Sequence, residues 1–253
     1  MNDMNDMNIE KGINGAKTAL VFGGARGIGA AAVQRLAADG HAVAFTYVSR
    51  PDKASELMAS VEAGGAQALA IEADSADPAA IRHAVERTAE RFGSIDVLVV
   101  NAGLLRMGTI DTVSLEDLDR MLDVNVRGVY LAIQATLPHL RDGARVVTIG
   151  SNVAIRTGLA GASVYQLTKT AVAGLVKGVA LDLAPRGITV NNVQPGPTDT
   201  DMNAGAIDAL AGMSPLKRVA QPREIAGLIA YLASDEARYV TGASFTIDGG
   251  LTL

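Results

Sequence analysis

Short, mostly apolar runs alternate along this chain with longer stretches of helical pattern. The runs are Thr18–Phe22, His41–Val48, Ala66–Ile71, Ile95–Val100, Arg145–Ile149, Gly187–Val193 and Ser244–Asp248. Ile95–Val100 is nearly all apolar, as a parallel strand buried on both faces should be. Helices are predicted between the runs, over Ala30–Ala38, Ala54–Ala63, Asp77 to about Phe92, a segment opening at Ser114, Ala162–Ala184 and Pro222–Ser234. Asp77-Pro78 is an N-cap followed by proline at the first helical position, and Ser114 with Asp117 forms a capping-box-like start. Regular alternation of strand and helix predicts one α/β domain over 16–253, a doubly wound parallel seven-stranded sheet with helices on both faces. Residues 201–219 are Ala/Gly/Met-rich and weakly patterned, which predicts a mobile lid at about 199–220.

Composition narrows the function. Hydrophobic residues make up 49% of the 253, enough for a large core. No run approaches the ~18 apolar residues that would span a membrane. A net charge of −5 offers no basic field for nucleic acid or anionic lipid, so neither is an expected partner. The absence of cysteine excludes disulfides, thiolate catalysis and Cys-ligated metal. His41, His83 and His139 stand far apart, which argues against a zinc site or a Ser-His-Asp triad. Residues 1–15 begin as a polar Met/Asn/Asp repeat without the features of a signal peptide, and are read as a disordered tail on a cytoplasmic protein.

Candidate chemistry clusters at the ends of the predicted strands. Gly23, Gly24, Ala25, Arg26, Gly27, Ile28 and Gly29 lie between the first strand and its helix. A glycine turn there lets backbone approach a dinucleotide phosphate at a helix N-terminus, although a plain turn has the same composition. After the second strand an NAD site carries a carboxylate about 20 residues past the glycines. This chain has Tyr47, Val48, Ser49 and Arg50 instead, with no carboxylate before Asp52. Arg26 and Arg50 could meet a 2′-phosphate, which favours NADP(H) over NAD(H). Simple solvation of both arginines is the alternative. Asp74 and Ser75 end the third strand, where a carboxylate could reach an adenine amino group. Asn101, Ala102 and Gly103 end the fourth and could lie against a ribose. Asn125 is a polar residue in an apolar helical stretch, and Ser151 follows the fifth strand. Tyr165 and Lys169 share a helix face at i, i+4, so an ammonium could lower the phenol pKa and fit it for proton exchange with a carbonyl or alcohol oxygen. The same spacing would also suit two surface neighbours. Apolar residues beyond Lys169 occupy more than one helix face, as at a subunit interface, so a homodimer or homotetramer is expected.

Taken together and in order, these motifs resemble the short-chain dehydrogenase/reductase family of about 250 residues. The resemblance is carried by Gly23, Gly27, Ile28 and Gly29, by Asp74, Asn101–Gly103, Asn125, Ser151, Tyr165 and Lys169, by Pro195, Gly196 and Thr200, and by the closing Asp-Gly-Gly. Two positions depart from the family pattern: Phe22 where threonine is usual and Val100 where asparagine is usual. The resemblance implies a Rossmann fold and hydride transfer between NADP(H) and a ketone or secondary alcohol. It implies Tyr165 as general acid or base, Ser151 on the substrate oxygen, Lys169 on the phenol and the nicotinamide ribose, and Asn125 holding a water on a proton path. The loop Pro195, Gly196, Thr198 and Thr200 would face the nicotinamide, and Leu104, Ser151, Asn152, Val153, Leu159 and Tyr165 the substrate. Two neighbouring activities are also implied. One is 3-oxoacyl-carrier-protein reduction, although the two docking points align with Asp142 and Leu181, which are not basic. The other is cyclic di-GMP binding by a regulatory branch of the family, which shares the Arg26-containing glycine turn and the Gln194–Asp201 loop.

Overall fold

The computed structural model describes residues 16–253, so the tail reading for 1–15 falls outside the described residues. Seven strands, β1 (Thr18–Phe22), β2 (Ala42–Tyr47), β3 (Ala68–Glu72), β4 (Ile95–Val100), β5 (Leu140–Ile149), β6 (Thr189–Pro195) and β7 (Ser244–Ile247), form one sheet in the order β3-β2-β1-β4-β5-β6-β7. Every pairing is parallel. The order reverses between β1 and β4, and the crevice above the carboxyl ends of such neighbours is where open α/β sheets bind ligands.

Helices cover both faces: α1 (Gly27–Ala38), α2 (Pro51–Ala63), α3 (Pro78–Phe92), α4 (Leu115–Leu122), α5 (Gly128–Thr136), α6 (Ser163–Leu183), α7 (Ile207–Met213) and α8 (Pro222–Ala233). Alternation along each strand divides the core into two layers. Leu20, Phe22, Leu98, Val100 and Val146 pack with Val85, Ile133, Val172 and Val176 on one face. Val21, Phe45, Val97, Val99 and Val147 pack with Val33, Leu36, Ile225 and Ile229 on the other. Both layers are covered, which is why the central strands β1 and β4 read as nearly unbroken apolar runs rather than alternating ones.

Three local features differ from the sequence reading. β5 starts at Leu140 rather than Arg145, because Leu140 pairs with Ile95 before the register shifts and resumes at Arg145 opposite Val97. Between α4 and α5 the helix widens into a π-turn over Asp123–Arg127, which carries Asn125. The weakly patterned segment 199–220 contains the short helix α7, and its ends are joined by a bridge between Thr198 and Ala220.

Candidate active site

Three chain segments meet at the carboxyl ends of β4 and β5. Ser151 leaves β5 in extended conformation and caps a 3-10 turn over Asn152–Ala154, its Oγ accepting from the Val153 N–H at 3.3 Å. Tyr165 stands in the first turn of α6, near enough for the Ser151 hydroxyl to act on its phenol. One turn on, Lys169 is buried, donates from Nζ to Ile149 O at 2.9 Å and lies 5.6 Å from the Tyr165 ring centre. With Tyr165 half-buried and Lys169 buried, the i, i+4 pair is not a pair of surface neighbours.

Burial dominates its electrostatics. Loss of hydration pushes the Tyr165 phenol up to about 12, against the opposing influence of the Ser151 hydroxyl. Burial brings the Lys169 ammonium down to about 8. The expected lowering of the phenol by its neighbouring ammonium is thus reversed in the protein alone. The ammonium is directed at the Ile149 carbonyl and sits over the ring face, so it does not offset the cost of forming a buried phenolate.

Asn125 is fully buried in the π-turn. Its Oδ1 accepts from Leu104 N–H at 2.7 Å, and its Nδ2 donates to Leu104 O at 2.8 Å and Thr168 Oγ1 at 3.1 Å. It thereby ties the strand-end loop after Gly103 to α6. A Cβ at Gly103 would lie 3.4 Å from Lys169 Nζ and 3.7 Å from Asn125 Oδ1, so the two side chains converge on that glycine. π-turns recur where a helix must aim one side chain at a site.

The glycine turn beside this cluster fits a dinucleotide. Gly23 adopts φ +73°, and its N–H is held by Thr46 Oγ1 at 2.9 Å while its carbonyl accepts from Asn101 Nδ2 at 2.7 Å. A Cβ on Gly29 would run into Gly23 O, so only glycine permits that approach. Arg26 is the N-cap of α1 but makes no side-chain cap, and the first turn holds no acid. The leading N–H groups of α1, Ile28 among them, therefore lack a local anion, the condition under which a helix N-terminus takes a phosphate. Phe22 and Val100, the two departures from the family pattern, are both buried in the core. Phe22 O accepts from Asn101 N–H and Ala102 N–H at 3.1 and 2.9 Å, so Thr46 and backbone carry the bonding at this turn.

The other candidate contacts surround that turn. Tyr47 ends β2, and Ser49 and Arg50 follow it into solvent. Arg50 sits at φ +69°, a rare conformation for a side-chain-bearing residue, and pairs with Asp52 at 2.7 Å. Arg26 pairs with Asp201, from the segment after β6, at 3.1 Å. Asp74 accepts from Ala76 N–H and from Arg120, which hold its carboxyl below the usual range despite partial burial. Ser75 is buried beside it. Past β6, Gly196 N–H donates to Ile247 O, Thr198 is buried, and Thr200 rests its methyl close to Gly27. A cavity of about 550 Å³ opens behind the glycine turn, lined by Gly27, Gln34, Thr200, Asp201 and Arg223, and not over Ser151 and Tyr165.

On the substrate side, Leu104 and Val153 are half-buried, Asn152 is buried with its amide toward Asp248 at 3.5 Å, and Leu159 stands exposed on the rim. Sequence reasoning missed Thr46, Arg120 and Thr168 as supporting groups, and counted Asp248 only as part of the closing Asp-Gly-Gly. Thr46 also carried a signal, a hydroxyl within the otherwise apolar β2 run. No group of His, Cys, Asp and Glu able to hold a metal ion occurs among the described residues, and no helix there is long and apolar enough to cross a membrane.

A family model described as enoyl-(acyl carrier protein) reductase matches residues 23–252. A short-chain dehydrogenase/reductase from Serratia marcescens BCRC 10948 is 50% identical, with a TM-score of 0.91 over 94% of this chain and 98% of that one. A short chain dehydrogenase from Burkholderia cenocepacia J2315, solved in complex with NADP, is 48% identical, with a TM-score of 0.91 over 94% and 98%. A cyclic-di-GMP-binding biofilm dispersal mediator protein of Escherichia coli K12 is 42% identical over 92% of this chain and 96% of its own length.

Proposed function

This chain belongs to the short-chain dehydrogenase/reductase family, and from that premise we propose that it is an NADPH-dependent carbonyl reductase acting on small ketones and, in reverse, secondary alcohols. The observation carrying this reading is the convergence of Ser151, Tyr165 and the buried Lys169, which is bonded to Ile149 O, beside an uncapped glycine turn. NADP(H) as the cofactor is supported by Arg26 and Arg50 in place of an NAD-type carboxylate and by the NADP complex of the Burkholderia relative.

Bound NADPH supplies the hydride. Ser151 Oγ donates a hydrogen bond to the substrate carbonyl oxygen and stabilises charge developing there. Tyr165, its phenol held protonated at neutral pH by burial, delivers the proton to that oxygen. Lys169 Nζ, which titrates near 8, reorients from Ile149 O to support the phenolate and pass it a proton. Asn125 holds the loop after Gly103 and, through a water, the outer end of that proton path. Leu104, Val153 and Leu159 form an apolar wall for the substituents of the ketone, under a lid at 199–220. Leu167 and Leu181 on α6 are exposed, and Gly174 and Gly178 leave open space beside them, which supports assembly into a homodimer or homotetramer.

Reduction of an acyl-carrier thioester is the less favoured alternative. Leu181 is exposed and apolar, and Asp142 is an exposed acid paired with Arg186, so neither offers a cation to an acidic carrier. Regulation by cyclic di-GMP is a second reading, favoured by the 42% identity to the E. coli mediator. A panel of ketones scored with NADPH and NADH in parallel, with calorimetry against cyclic di-GMP, tests both. Ketone-dependent NADPH consumption is expected. Cyclic di-GMP binding with no turnover of any ketone would replace the reductase with the regulator.

A further inference from the structure

Both arginines assigned to the 2′-phosphate already hold a carboxylate. Arg50 grips Asp52 in the first turn of the helix that it caps, so that pair is local. Arg26 is held from across the crevice by Asp201 of the lid, at 3.1 Å. Both partners of this second bond are more than half exposed, at 65% and 72%, so an incoming anion can displace it. Beside Asp201, Thr200 lays its methyl against Gly27, so one short stretch of lid covers both the phosphate turn and its arginine. The charge of Asp201 also acts on Arg50, which places the lid carboxylate in the field of both cations.

Resting on the NADP(H) reading of the site, we propose that Asp201 is the resident counter-anion of the 2′-phosphate position. It occupies Arg26 until a 2′-phosphate displaces it, and that displacement frees the lid from the glycine turn. A phosphate dianion and a carboxylate repel at this range, so they compete for the guanidinium. A cofactor with only a 2′-hydroxyl brings no such charge and leaves the Arg26–Asp201 bond in place. Asp201 therefore sets the margin by which NADPH is preferred and makes lid release depend on which cofactor enters.

Calorimetric dissociation constants for NADPH and NADH test this on the full chain, using the parent, Asp201→Asn, Asp201→Ala, Arg26→Gln and the Arg26→Gln/Asp201→Asn double variant at low salt. Removing the carboxylate should tighten NADPH binding about two- to sixfold, the range expected from an exposed ion pair, and leave NADH within about 1.5-fold. In the Arg26→Gln background the gain should vanish. If Arg26→Gln weakens NADPH but neither Asp201 variant tightens it, the counter-anion is wrong and the cofactor reading stands. If Arg26→Gln leaves NADPH unchanged, the cofactor reading fails and takes the counter-anion with it.

Discussion

Replacing Lys169 by methionine should remove activity and yet stabilise the cofactor-free protein near neutral pH. Burial takes the ammonium from its ordinary 10.5 to about 8, and Lys169 is only 4% exposed, so solvent screens little of that cost. At about 1.4 kcal/mol per pKa unit, a protonated Lys169 costs folding about 3 kcal/mol at pH 7. A base whose folded pKa lies below its unfolded value carries this cost in full at pH below the folded value. The cost is lifted as pH rises from about 8 toward 10.5. It should therefore fall to about 1 kcal/mol by about pH 9.5. Methionine keeps an unbranched stem of similar length but forfeits the bond to Ile149 O, a loss of about 1–2 kcal/mol that does not depend on pH. The net gain at pH 7 is then about 1–2 kcal/mol, or about 3–6 °C in Tm for a chain of this size. Urea denaturation of parent and K169M at pH 7 and 9.5, without cofactor and at matched protein concentration, measures it. A K169M protein less stable than its parent at pH 7, or a difference that does not shrink with rising pH, would refute the argument.

Two further substitutions probe the supports of the site. Thr46→Val deletes the acceptor of the Gly23 N–H at a residue only 1% exposed, and should cost about 1–3 kcal/mol by urea denaturation while weakening NADPH several-fold by calorimetry. Unchanged stability would mean that the turn holds itself. Ser151→Ala should lower kcat about 100-fold with NADPH affinity unchanged in the same titration, because the hydroxyl serves the substrate oxygen and not the cofactor.

Much of the fold was legible because the central strands are buried on both faces. Hydrophobic runs such as Thr18–Phe22 and Ile95–Val100 needed no periodicity analysis, and the strand-end positions of the glycine turn, Asn101 and Ser151 followed from them. Tyr165 and Lys169 were legible as a pair because helical spacing fixes which residues share a face. What their environment does to them was not legible. Whether an ammonium lowers a phenol depends on burial and on where its hydrogen bond goes, and helical spacing records neither. The π-turn at Asn125 was equally hidden, since one extra residue in a helical turn leaves no mark in the apolar pattern. The partners of Arg26 and Asp74 come from distant segments, Asp201 and Arg120, and local sequence does not record such pairings.

Tyr165 is the proposed proton donor in a reduction driven by NADPH. Its most direct test pairs steady-state turnover of a responsive ketone with the NADPH dissociation constant, in the parent and in Tyr165→Phe. Loss of the hydroxyl should lower kcat by about 100- to 10,000-fold and leave NADPH binding within about twofold. Turnover in Tyr165→Phe comparable to the parent, with NADPH still bound, would contradict the assignment.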